Sequence, residues 1–466
     1  MNKRSIDRAA VKLPDFGRPS ECPAIPAELY RTRLARTAER MRSEKLRTLL
    51  VYADREHSAN MAYLTGFDPR FEEALLLLSS DGGAKLLVGN ECMGYLPDTA
   101  TLGLEVELFQ EFSLMGQPRS DSRPLRKILR DFGVVTGEPV GCVGWKSFEG
   151  KLVPGGRRAL DVPAYLADVA RELAGDRKRV INATGIFMDA EHGLRVTNEA
   201  VQIAQFEHAA CVTSDGLLAL LGHLRPGVAE HSLEKYLDAR GLPLSCHRMI
   251  NFGEKAQRGL ASPSAGRARL GDAYTAAFGV QGALNCRAGV LARSAHDLPE
   301  AIREFYWRFI VNYFQVVATW YENIRVGTRA GAVVRAVESS RDKTLYRFAV
   351  NPGHYLHLDE WLNSPFVAGS PVRLRSGMML QMDIIPISLG PFCCANAEDG
   401  VVLADAELRA ELVQEFPAMW QRIVARREFM RKTIGIRLDE SVLPLSNIPG
   451  WFPPYALDLG RAFVLA

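Results

Sequence analysis

The chain has 466 residues, of which 47% are hydrophobic and 24% charged, and its formal net charge is +3. That length exceeds what one hydrophobic core usually serves, so two domains are expected, and the composition excludes a disordered chain. Nucleic acid is not an expected partner: the basic runs "PGGRRA" (154–159) and "ARREFMRK" (425–432) are short, and the second is spaced like the solvated face of a helix.

The opening "MNKRSIDRAAVKLPDFG" is basic but lacks the apolar core of a secretion signal, and residues 1–27 read as a Pro-containing lead. Over 28–46, Leu34, Ala38 and Met41 form one stripe among arginines, which predicts an amphipathic helix. "RTLLVY" is then a buried strand, and "EALLLLSSDGGAKLLV" (73–88) a hairpin turning at Asp81-Gly82-Gly83. Helix and strand signals alternate as far as "RKRVINA", which makes 28–190 an α/β amino-terminal domain.

A second domain is expected over 191–435. A long helix is predicted from Leu194 to Leu221, and a second helix after the Pro226-Gly227 break. Strands follow at about 245–252 and 272–292, the latter folding back at Gly282. Asp297 and Glu300 read as a capping box with Pro299 early in the first turn of the next helix. Its stripe of Ile302, Phe305, Phe309, Tyr313, Val316, Trp320 and Ile324 reads as core packing, with Gly327 as the stop. Residues 345–405 are strand-like and 406–432 helical. The remainder, 436–466, ends in the apolar "WFPPYALDLGRAFVLA", suited to packing on the body or on a second subunit.

Eight cysteines, at 22, 92, 142, 211, 246, 286, 393 and 394, are scattered with no C-x-x-C pair, which predicts reduced thiols and a cytoplasmic protein. No window reaches the roughly 18 uncharged apolar residues that a membrane span needs, so no membrane partner is expected.

Six short patterns occur in a telling order: "MAYLTGF" (61–67), "LRVTNEAVQIAQFEHAA" (194–210), "GD" before a strand pair (271–272), "NPGH" (351–354), "SGMMLQMDIIP" (376–386) and "AEDGVVL" (397–403). Together they resemble the creatinase/aminopeptidase P/prolidase superfamily over residues 30 to 405. The resemblance implies an α/β amino-terminal creatinase-like domain, then an α+β "pita-bread" domain whose curved antiparallel sheet carries the site. It also implies a homodimer in which the amino-terminal domain of one subunit lies near the site of the other.

Metallopeptidases of that superfamily hold two divalent ions with Asp, Asp, His, Glu and Glu, because paired hard cations need bridging carboxylates and together acidify a water. Here the His matches His354, the first Glu falls on the shorter Asp383, and the last matches Glu398. The two aspartates fall on Ala277 and Ala288, whose methyl groups have no lone pair to give. The resemblance therefore implies a degenerate metal site: no cofactor is expected, with room at most for one weakly held divalent ion. Cys286, His357, Asp359 and the Cys393–Cys394 pair are remote substitutes.

The creatinase branch cleaves a C–N bond without metal through a histidine just before the first metal strand. The matching "EKAQRGLASPSAGRARLGD" here offers Ser262 and no histidine, so that mechanism does not carry over. His354, Asp383 and Glu398 are the candidate catalytic residues. The two uncompensated acids are expected to raise the His354 pKa, making it a proton donor, and to hold a cationic group of a small-molecule substrate. Strand alternation places Cys286 on the face of Ala288 and Arg287 on the other, where a partner carboxylate is expected unless a bulge turns it inward. His357 with Asp359, together with His247, complete the substrate-binding candidates.

The favoured reading is a creatinase-like hydrolase or lyase that cleaves a C–N bond in a small nitrogen-containing metabolite without a two-metal centre. The alternatives are an Xaa-Pro metallopeptidase with atypical ligands and a non-catalytic pita-bread binding protein.

Overall fold

The computed structural model describes residues 4–148 and 152–466. These fall into two compact units, Ile25–Arg195 and a second made of the residues up to Ala24 with Val196–Ala466. The amino-terminal lead and the carboxy-terminal extension thus both pack into the second unit. There Ile6–Ala10 pairs antiparallel with Arg461–Leu465, and Phe463 lies against Trp307, Phe314 and Phe452.

In the Ile25–Arg195 unit a six-stranded sheet runs in the order Glu105–Leu108, Ala84–Val88, Ala74–Ser79, Thr48–Ala53, Val140–Val143, Val180–Asn182. Thr48–Ala53 and Ala74–Ser79 are buried at every position, as strands covered on both faces must be, which is why they read as unbroken apolar runs. The expected hairpin and the helix Ala27–Ser43 are present.

The second unit holds a seven-stranded antiparallel sheet. Its path runs His354–Tyr355, Met379–Asp383, Asn396–Leu403, Ala283–Val290, Ala273–Val280, Met249–Phe252, with Val442–Pro444 also on Asn396–Leu403. The helix Ala200–Leu221 packs across the two central strands. Thr213 Oγ1 on that helix donates to Asn285 Oδ1 at 2.7 Å, and Gly216 leaves room for the Phe278 ring. The helix Glu300–Asn323 buries Phe309, Tyr313, Val316 and Trp320 as its stripe predicts.

Three local expectations are corrected. The long helix starts at Ala200 rather than Leu194, because Asn198 is held extended by two bonds of 2.9 Å, from its backbone N and from Nδ2, to the Gly377 carbonyl. The helix after Pro226-Gly227 shrinks to Glu230–Leu233 and a 3-10 turn. The N–H groups of Gly227, Glu230 and His231 are spent on the carbonyls of Ala268, Gly266 and Ser264. The capping box at Asp297 does not form: Pro299 takes the N-cap position, and the Asp297 carboxylate accepts from the Arg293 N–H at 2.7 Å.

Candidate active site

Register alone assembles the site. One row of directly opposed residues crosses five strands as Met249, Ala277, Cys286, Glu398 and Asp383. A second row carries Thr275, Ala288 and Asn396. Opposed residues on paired strands share a face, and every member of both rows lines one cavity of about 420 Å³. The two methyl groups at Ala277 and Ala288, 3% and 2% exposed, therefore sit in the wall beside the surviving acids.

His354 enters from the edge strand next to Gly353, which has φ of +104° and where a Cβ would lie only 2.9 Å from the Gln381 carbonyl oxygen. The imidazole is fully buried. Its Nδ1–H donates to the Tyr355 carbonyl at 3.0 Å, and Trp361 stacks on it with ring centroids 4.1 Å apart and planes 17° apart. Nε2 is left aimed at Glu360 Oε1, 3.7 Å away, and Asp383 Oδ2, 3.9 Å away.

The electrostatics differ from the sequence expectation in sign. Burial pulls the His354 pKa down to about 4, with the Tyr355 hydrogen bond opposing. Burial, and then Glu360, push Asp383 up to about 8. Burial and Asp383 hold Glu398 well above the usual carboxylate range, while Asn396 Nδ2 donates to its Oε1 at 2.7 Å. Burial, Glu398 and Asp359 push Glu360 up to about 8, though its side chain, 30% exposed, keeps part of its hydration, so this shift carries less weight than that of Asp383. Carboxyls that keep their protons exert no anionic field, so the imidazole has nothing to raise its basicity. The expected imidazolium is replaced by a neutral ring with a free Nε2 lone pair.

Glu360 is the member of this cluster that the sequence reading passed over. Attention fell on the alternation His357, Asp359, yet the strand stops at Tyr355 and the chain bends back to hydrogen-bond Leu362 N–H to the Tyr355 carbonyl at 3.0 Å. Alternation fails across that bend. Glu360 and Trp361 line the cavity, whereas His357 and Asp359 do not: His357 packs edge-on against Phe206 of the long helix, ring centroids 5.3 Å apart.

Arg287 points away from the cavity, with no bulge to turn it. It pairs with Asp399 at 2.9 Å and donates to the carbonyls of Ile448 and Trp451. Cys286 does face the cavity, but burial and then Glu398 hold its thiol protonated. Cys246, Cys393 and Cys394 share the wall, pushed by burial up to about 12, 12 and 11. His247 stands exposed at the rim, its ring nitrogen 2.7 Å from the Leu260 carbonyl. The segment carrying Ser262 is a loop over the cavity, tied down where the buried Glu230 carboxylate accepts from Phe252 N, Lys255 Nζ and Ser264 N.

Of the five donors that the resemblance implies, Ala277 and Ala288 offer only methyl groups, and no group of three or more His, Cys, Asp or Glu among the described residues is arranged to hold a metal ion.

No protein-family model matches the chain, and no curated protein matches it by sequence. Solved structures do match in fold. The prolidase from Pyrococcus horikoshii OT3 superposes with a TM-score of 0.61 at 14% identity, covering 80% of this chain and 95% of that one. The dipeptidase PepE from Mycobacterium ulcerans gives 0.62 at 16% identity, covering 83% and 95%. The X-Pro aminopeptidase from Thermotoga maritima MSB8 gives 0.58 at 14% identity, covering 80% and 95%. The chain therefore has an α/β amino-terminal unit and the pita-bread fold of these peptidase structures. No helix among the described residues is long and apolar enough to cross a membrane, and all eight cysteines are free thiols.

Proposed function

We propose that this cavity binds a small molecule bearing a cationic nitrogen and hydrolyses one of its C–N bonds without a two-metal centre. The observation that carries the reading is that Asp383, Glu398 and Glu360 line one cavity, with Glu360 and Asp383 lying 3.7 and 3.9 Å from Nε2 of the fully buried His354. An amine or guanidinium entering such a site releases one proton of the three carboxyls to solvent, forms charge-assisted hydrogen bonds with the carboxylate left, and leaves the other two carboxyls protonated. The peptidase names borne by the structures of the same fold support hydrolysis.

In the reaction, the Nε2 lone pair of His354 takes a proton from water as its oxygen bonds to the substrate carbon. A protonated carboxyl, Asp383 or Glu360, gives its proton to the nitrogen as the C–N bond breaks. The imidazolium then returns a proton to the carboxylate, so that one water is consumed and one amine released. The division of labour follows from the pKa values: the neutral base is the imidazole and the proton store is the acid pair. We take the protein to act as a cytoplasmic homodimer, which light scattering of the purified chain checks.

The test is amine release from amides, ureas, guanidino acids and X-Pro dipeptides, with chelator and with added Mn²⁺. Turnover should ignore the chelator and fall by roughly 10²–10⁴-fold in His354→Ala. Release from X-Pro dipeptides that requires metal would replace this reading with an Xaa-Pro peptidase with atypical ligands. One observation favours a third reading, binding without turnover: an imidazole with its pKa near 4 is a weak base. Saturable binding of an amine with no product formed would establish it.

A further inference from the structure

We propose that a second cavity in the Val196–Ala466 unit, unconnected with the acid cluster, binds a small molecule bearing a di- or triphosphate. The helix Pro417–Glu428 runs into a π-helical turn, Phe429–Ile434, and Gly435, with φ of +86°, then reverses the chain. Residues 436–438 come back against the helix and leave a cavity of about 500 Å³ between. Its lining holds four cations, Arg427, Arg431, Lys432 and Arg437, and the single carboxylate of Glu428. Helical spacing explains the crowding, because 424, 427, 428, 431 and 432 fall on one stripe.

That carboxylate is already taken: Glu428 pairs with Lys432 one turn on. Arg427 is fixed from behind, donating to the carbonyls of Asp439 and Val442, and Arg437 is anchored by its backbone N–H to Glu322 Oε1 at 2.9 Å. None of the three arginines has a carboxylate ion pair among the described residues. Four cations are thus gathered around one cavity with the Glu428 carboxylate alone in its lining. Burial, and then Arg431, make the Arg427 charge harder to hold.

The recess, not the sum of charge, decides the ligand class. The reversal of the chain at Gly435 sets the exposed Arg431, Lys432 and Arg437 and the half-buried Arg427 around one cavity that Ile436 and Leu438 also line. Guanidinium forks match the paired oxygens of phosphates, and three unpaired ones call for an anion of more than one charge. The volume lies in the small-molecule range. Four cations around one small cavity, in a basic run as short as 425–432, do not suit a nucleic-acid strand.

The experiment titrates the full chain with pyrophosphate and with ADP by calorimetry, at low and high salt. The comparison proteins are the double variant Arg431→Gln/Arg437→Gln and the control Arg126→Gln in the other unit. One site per chain is expected, weakened by salt, unchanged in the control and weakened roughly tenfold or more in the double variant. Both replaced side chains are exposed, so the circular dichroism spectrum should not change. ADP binding more tightly than pyrophosphate would assign its organic part to the apolar floor, and equal binding would assign the phosphates alone. No saturable binding of either at millimolar concentration, or equal affinity in the double variant, overturns the proposal.

Discussion

Introducing two aspartates, Ala277→Asp with Ala288→Asp, tests the cradle directly. Register leaves both positions facing the cavity, Ala277 opposite Cys286 and Ala288 opposite Thr275 and Asn396. Without metal the added carboxyls join Asp383 and Glu398 in a wall only a few per cent exposed, and we expect a loss of roughly 3–5 kcal/mol, the scale of an uncompensated buried charge. A divalent ion at a hundred times its Kd then returns about 2.7 kcal/mol. At roughly 2–4 °C per kcal/mol for a unit of this size, that is a rise of about 5–10 °C in Tm on adding Mn²⁺, reversed by chelator. The native chain, with only three donors, should shift by less than about 2 °C in the same scan. Tryptophan fluorescence reads the transition, since five of the six tryptophans, all but Trp145, lie in this unit. An equal Mn²⁺ response in the native chain, or none in the double variant or in Ala288→Asp alone, would refute the reasoning.

Three further outcomes follow from the same geometry. Asp383 keeps its proton in the fold up to about pH 8 but ionises near its ordinary 3.8 once unfolded. The folded state therefore binds more protons across that window, and stability falls as pH rises through it; Asp383→Asn should remove that part of the slope in Tm against pH, and an unchanged slope would contradict the assignment. Asp399→Ala strands the buried Arg287 guanidinium, and urea unfolding should show a loss of about 3–5 kcal/mol; a loss below about 1 kcal/mol would mean that the carbonyls of Ile448 and Trp451 suffice. Iodoacetamide at neutral pH should label the exposed Cys22 well before Cys286, because thiolate is the reactive form and Cys286 is both buried and strongly protonated. Early modification of Cys286, read by peptide mass spectrometry, would revive it as a nucleophile.

Period-two alternation made much of this site legible from sequence. It put Cys286 with Ala288 and Arg287 on the other face, and the strands around Gly282 obey it without a bulge. The charge rule for buried arginine also asked for a carboxylate partner, and Asp399 supplies it. What stayed hidden depends on burial depth and on where strands end. His354 was expected to be basic because acids stand near it; the depth of the cavity instead neutralises the acids and the ring together. Glu360 was missed because a bend of a few residues after Tyr355 breaks the alternation, and nothing in "HYLHLDEW" marks which side chain the bend turns inward. The helix at Glu230 is shorter than its sequence predicts, and its start is fixed by distant chain: the N–H groups of Glu230 and His231 bond to carbonyls more than thirty positions away.

The burial of these acids side by side is itself the strongest physical argument for a ligand. Met249, Leu284, Ile385 and Phe392 already give the cavity an apolar wall, and small or apolar side chains at 360, 383 and 398 would avoid the cost of burying carboxyls beside one another. At 277 and 288 the chain has taken that cheaper course. At the other positions it keeps Asp383 and Glu398 opposed on neighbouring strands, and Nε2 of His354 remains without a hydrogen-bond partner in a fully buried ring. An idle cavity gains nothing from that arrangement, because half-satisfied buried polar groups weaken a fold. A ligand with N–H donors and a positive charge satisfies the carboxyls that line the cavity, Glu360, Asp383 and Glu398. A cationic nitrogen compound should therefore raise the Tm of this chain in proportion to the logarithm of its concentration, while an uncharged isostere should not; equal stabilisation by the two would take the acids out of recognition altogether.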